Sequence, residues 1–111
     1  MATYDGTIGG EIALELAAEW TENYRNQLTD SGEARSHFFG REILERLLAQ
    51  EKCVGIRMYY GLELPAGEGA KKQLILVGVD ENGNDLEDLV ADRSTVCPPE
   101  CIVTGVLSGG S

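Results

Sequence analysis

Apolar positions recur at four-residue intervals through the first part of the chain. Ile12, Leu16, Trp20, Tyr24 and Leu28 form one row, Ala13 and Ala17 widen it, and Glu11, Glu15, Glu19 and Glu22 fall on other faces. This spacing predicts an amphipathic helix over 9–28 with a solvated acidic side. Its early glutamates lie toward the end where the helix dipole favours negative charge. Thr29-Asp30-Ser31-Gly32 reads as a turn. Phe39, Ile43 and Leu47, with Leu44 and Leu48 in the next row, predict a second helix over 36–50. Ser36 is the expected N-cap, because its hydroxyl can accept from an unpaired backbone N–H. Glu42 and Arg46 add a weak pair one turn apart.

The period then changes. From Cys53 the chain alternates Val54, Ile56, Met58 and Tyr60 against Gly55, Arg57 and Tyr59. This predicts a strand over 53–64 with one face buried. Pro65, Gly67, Gly69, Lys71 and Lys72 give a loop composition. Residues 73–80 are an almost unbroken apolar run, which predicts a central strand. Asn82-Gly83 follows as a hairpin signal, since both residues tolerate positive φ. The return strand is expected over 84–91. Two prolines between Cys97 and Cys101 predict an extended tail over 95–111 rather than a strand interior. Helices followed by strands argue for a single α+β domain: two N-terminal helices packed on a small, mainly antiparallel three-stranded sheet, with an extended C-terminal segment.

The 111 residues suit one domain and leave no room for a second full core. At 42% hydrophobic the chain is too apolar to be wholly disordered. No apolar run approaches the roughly 18 residues of a membrane span, so no membrane partner is expected. Nineteen acidic against nine basic residues leave a net charge of −10. That balance disfavours nucleic acid, whose phosphates are bound chiefly by Lys and Arg. Met1-Ala2-Thr3-Tyr4-Asp5-Gly6 has neither the basic stretch nor the apolar core of a secretory signal, so the expected compartment is the cytoplasm. Three cysteines cannot all pair within one chain, and cytoplasmic thiols stay mostly reduced.

Candidate chemistry is sparse. Asp80, Asn82 and Asn84 match the first ligand positions of a calcium loop, but Asp85 stands where glycine is needed and Ala91 where a bidentate glutamate is needed. The segment therefore reads as a turn with solvated charges. Cys97 and Cys101, with Cys53 and His37, make a possible four-ligand zinc set, although one C-x3-C without a second paired motif is a weak signature. The competing readings of that loop are buried thiols or a local disulfide. His37 is the sole histidine, and it stands beside Phe38 and Phe39 rather than beside a nucleophile. No glycine-rich phosphate loop is present. No catalytic or cofactor-binding residue is assigned, and the chain leans away from enzymes.

One string of motifs has a wider resonance: Phe38-Phe39-Gly40-Arg41-Glu42-Ile43-Leu44, then Cys53 to Gly61, then Leu76-Val77-Gly78-Val79-Asp80 with Asn82-Gly83-Asn84-Asp85, then Cys97-Pro98-Pro99-Glu100-Cys101. This order, over about residues 36–101, resembles a group of small uncharacterised bacterial proteins. The resemblance implies a bacterial source and no particular activity.

The function expected from these features is a non-enzymatic structural or interaction protein. It self-associates as a homo-oligomer or filament through sheet edges and the C-terminal segment. Arg57, Tyr59, Tyr60, Pro98, Pro99, Ile102 and Val103 are the expected interface residues, because Arg and aromatic residues concentrate at such contacts. The alternative is a small metal- or thiol-dependent protein using Cys53, Cys97, Cys101 and His37.

Overall fold

A computed structural model describes residues 3–29, 32–63, 71–99, 101–102 and 105–109. Helices and antiparallel sheet both appear, so the class is α+β. In chain order the elements are α1 (Leu14–Gln27), β1 (Ser36–Phe38), α2 (Arg41–Leu48), β2 (Gly55–Leu62), β3 (Lys72–Val79), β4 (Asp85–Ala91), β5 (Thr95–Cys97) and a 3-10 helix (Val106–Ser108). The chain divides into two compact units. One holds the residues up to Ile8 together with His37–Thr95; the other holds Gly9–Ser36 and Val96 onward.

The first unit contains a three-stranded antiparallel sheet ordered β2-β3-β4. The apolar run of β3 takes the centre, where both faces of a strand are covered and Val, Ile and Leu pack well. Leu76, Val77, Gly78 and Val79 are all buried. Register places Arg57 opposite Val77 and Tyr59 opposite Ile75, and places Ile56, Met58 and Tyr60 opposite Gly78, Leu76 and Leu74. Side chains alternate along a strand, so these two sets occupy opposite faces. Helix α2 covers the part of the second face around Ile56 and Leu76. Leu47 is fully buried against Leu76 and Ala91, with Phe39, Ile43, Leu44, Ile56, Leu74 and Leu89 around them. The end of α2 lies close to the sheet at Gly78, where a Cβ would stand 2.7 Å from Gln50 Nε2, 3.0 Å from Cys53 Sγ and 3.3 Å from the Leu47 carbonyl oxygen.

The β3–β4 connection is tighter in chemistry and longer in chain than a two-residue Asn-Gly turn. Asp80 N–H donates to the Asn84 carbonyl at 3.0 Å, so the loop proper is Glu81-Asn82-Gly83. Gly83 takes φ +85°, the left-handed position such three-residue loops require. Asp80 Oδ1 accepts from the N–H groups of Asn82 at 2.9 Å and Asn84 at 3.0 Å. Those bonds, the one from Asn84 foremost, favour the ionised carboxylate and hold its pKa below the ordinary value. Further along, the register jumps: Val77 pairs with Val90 and Gly78 with Leu86. Glu87, Asp88 and Leu89 therefore stand outside the pairing.

In the second unit, α1 packs with the 3-10 helix. Arg25 Nη1 donates to the Leu107 carbonyl at 2.8 Å, and Tyr24 OH donates to the Ala34 carbonyl at 3.3 Å. None of the residues of α1 is buried. Among the described residues, no helix is long and apolar enough to cross a membrane.

Several expected boundaries move. The first helix starts at Leu14 rather than at residue 9, because Gly9 sits at φ +105° and glycines disfavour helix by about 1 kcal/mol each. It groups with the C-terminal segment, and α2 alone groups with the three-stranded sheet. The expected 36–50 helix begins only at Arg41, after an extended Gly40. Ser36 is not its cap. Ser36–Phe38 instead pairs with β5 in a two-stranded sheet, where aromatic side chains suit the pleat. The first long strand runs 55–62 rather than 53–64, of which residue 64 lies outside the described residues. The expected tail over 95–111 is not one extended segment: its described parts are a strand, a proline turn with cis bonds at Cys97-Pro98 and Pro98-Pro99, and the 3-10 helix.

Candidate functional site

The most connected polar group lies on the sheet face turned away from α2. Arg57 on β2 reaches across β3. Its Nη1 donates to Asp85 Oδ1 at 2.5 Å and to the Gly83 carbonyl at 3.0 Å. Tyr59, two residues on and therefore on the same face, donates its hydroxyl to Asp85 Oδ2 at 2.5 Å. Tyr4 completes the set. Its ring centroid is 5.6 Å from Arg57 Cζ, within cation–π range, and its edge lies against Gly83. The turn glycine therefore serves twice: it permits the positive φ, and it leaves room for the tyrosine ring.

The hydrogen bond to Asp85 raises the pKa of the Arg57 guanidinium and, in Tyr59, raises the phenol above its usual value near 10. The phenol must keep its proton to donate. The contact is thus present at neutral pH and is lost as pH rises through the raised phenol value. Of the four tyrosines, Tyr59 is expected to ionise at higher pH than in its Asp85→Asn variant, where the anionic acceptor is gone. Alkaline absorbance titration reads this directly, and an unchanged curve in Asp85→Asn would show that the two groups are not coupled.

Arg57, one of the expected interface residues, has an acidic partner within its own chain. The edge beside it remains open. Among the described residues β2 pairs only with β3. Tyr60 is 93% exposed, and Met58 and Leu62, on the same face, are exposed as well. The opposite edge, β4, carries Asp85, Glu87 and Asp88, and its ladder is interrupted.

The four residues of the expected metal set fall in different parts of the fold's two units, His37 and Cys53 in the first and Cys97 and Cys101 in the second. Cys97 and Cys101 are joined as a disulfide, which removes two thiolates, and Cys53 is the free cysteine. Its thiol donates to the Gly55 carbonyl at 3.2 Å. It lines a cavity of about 350 Å³ with Lys52, Val54, Asp80, Glu81 and Asn82. His37 Nδ1 stands 2.8 Å from Ser94 Oγ, and partial burial lowers its pKa, favouring the neutral ring. Among the described residues, no group of three or more His, Cys, Asp or Glu side chains stands close enough to hold a metal ion. Of the remaining expected interface residues, Pro98 is half-buried, Pro99 and Ile102 are exposed, and Val103 lies outside the described residues.

Sequence reasoning missed Tyr4 and Asp85. Asp85 follows the hairpin glycine closely, and the pairing Val79↔Asp85 beside Arg57↔Val77 brings it near Arg57 once the register is known. No protein-family model, curated protein or solved structure gives a significant match to the chain.

Proposed function

We propose that this chain is a non-enzymatic structural protein that self-associates by pairing the β2 edge of one copy with the β2 edge of another. The observation that carries this reading is the contrast between the two edges of the sheet. Edge strands are normally guarded by charge, proline, bulges or brevity. The β4 edge has three carboxylates and a broken register. The β2 edge has eight residues, no proline, no carboxylate and only one charge, that of Arg57, which Asp85 already balances. In a chain of net charge −10, an acid-free edge is where two copies meet at least electrostatic cost.

Antiparallel pairing of β2 with its own copy is isologous and closes at two. A filament needs a second receptive edge, and the acids of β4 oppose that. The reading rests on β2, which pairs only with β3 among the described residues. Light scattering on the full chain is expected to give twice the chain mass, with dimerisation strengthened by added salt as like charges are screened. Tyr60→Glu places a carboxylate in the middle of the shared edge and is expected to weaken dimerisation about tenfold or more. A wild-type chain that stays monomeric at high concentration would sink the proposal, as would a Tyr60→Glu variant that dimerises equally well.

A further inference from the structure

We propose that the Cys97–Cys101 disulfide is a redox-active centre that exchanges with external thiols, with Cys101 as the sulfur attacked and Cys97 as the leaving and resolving thiol. Three observations carry this, and none depends on pairing at β2.

The bridge spans only four positions in sequence, with Cα atoms 4.8 Å apart. A disulfide constrains the unfolded chain less as its loop shortens, so this bridge is a poor staple compared with one joining distant elements. The two ends also differ in access. Cys97 is 7% exposed at the end of β5, whereas Cys101 is exposed and lies outside any strand or helix. Exchange proceeds by attack of a thiolate on one accessible sulfur, and the asymmetry selects Cys101. Finally, Cys97 is held independently of the bridge: its carbonyl accepts from Arg35 N–H at 2.6 Å. Opening the disulfide therefore leaves the resolving thiol in place.

The chemistry balances with two equivalents of a thiol. An incoming thiolate bonds to Cys101 Sγ, and the S–S bond breaks with its electron pair passing to Cys97, which takes up a proton. A second thiolate attacks the external sulfur of the mixed disulfide, and Cys101 leaves as a thiolate and is protonated. The protein gains two electrons and two protons, and two external thiols become one disulfide.

The test uses the full chain with Cys53→Ser to remove the third thiol, equilibrated in glutathione buffers of graded redox poise, quenched in acid, alkylated and weighed. Circular dichroism follows the fold in parallel. The expected result is a reversible two-thiol transition with unchanged secondary structure. With Cys97→Ser added, oxidised glutathione should form a mixed disulfide at Cys101. With Cys101→Ser added instead, the reaction at Cys97 should be at least about tenfold slower. The proposal is overturned if the bridge opens only when the chain is unfolded. It is equally overturned if Cys97 reacts as fast as Cys101 while the fold is intact.

Discussion

Leu47→Ala is expected to destabilise the folded chain by about 2–5 kcal/mol, the cost of removing a fully buried leucine whose neighbours relax only in part. Leu47 is the point where α2 enters the sheet, with no exposed surface and with Leu76 and Ala91 against it. The loss is large beside the roughly 5–15 kcal/mol that holds an ordinary domain together. Leu48, the next residue, is 52% exposed and supplies the control. Leu48→Ala changes hydrophobic content equally, yet should stay within about 0.5 kcal/mol of the parent. Urea unfolding followed by circular dichroism separates them: the midpoint should fall for Leu47→Ala with little change in slope. Equal midpoints for the two variants would mean that α2 is not seated on the sheet through Leu47.

Gly78→Val is expected to cost about 1–3 kcal/mol or more by the opposite route, overfilling instead of emptying. The first added carbon would meet Gln50 Nε2, Cys53 Sγ and the Leu47 carbonyl. The Gln50 side chain can swing aside, although it would then give up its 2.9 Å bond to that same carbonyl. The Leu47 carbonyl is backbone near the end of α2, and it moves only if the helix end lifts from the sheet. Gly55→Val makes the comparison. A Cβ at Gly55 meets nothing within 4 Å, and valine favours strands, so that variant should be near neutral. If thermal or urea unfolding gave the two valine variants the same stability, the close approach at Gly78 would carry no energetic weight.

What could be read from sequence was whatever depended on neighbours. The 73–80 run showed its central place because it lacks a polar face, and Asn82-Gly83 marked the hairpin because few residues tolerate positive φ. The inward row of α2 followed from its spacing. What could not be read depended on distant partners. Ser36 looks like a helix cap by its local chemistry; only pairing of Ser36–Phe38 with Thr95–Cys97 makes the segment a strand. Arg57 looks unsatisfied until the register of three strands brings Asp85 within reach. The cysteine count was also open to two readings. Three thiols exclude a fully paired set, but they permit one bridge and one free cysteine, as found here.

The division of the chain into interleaved units has a consequence for its synthesis. Each unit is assembled from two separate stretches of sequence. The Arg25 guanidinium in α1 finds its acceptor, the Leu107 carbonyl, 82 residues later. A ribosome therefore delivers α1 long before the 3-10 helix that it packs with exists. Contacts of such separation close late and expose apolar surface meanwhile. The glutamates interspersed along that helix then act as a solubilising coat for a nascent segment, in service before the mature protein exists.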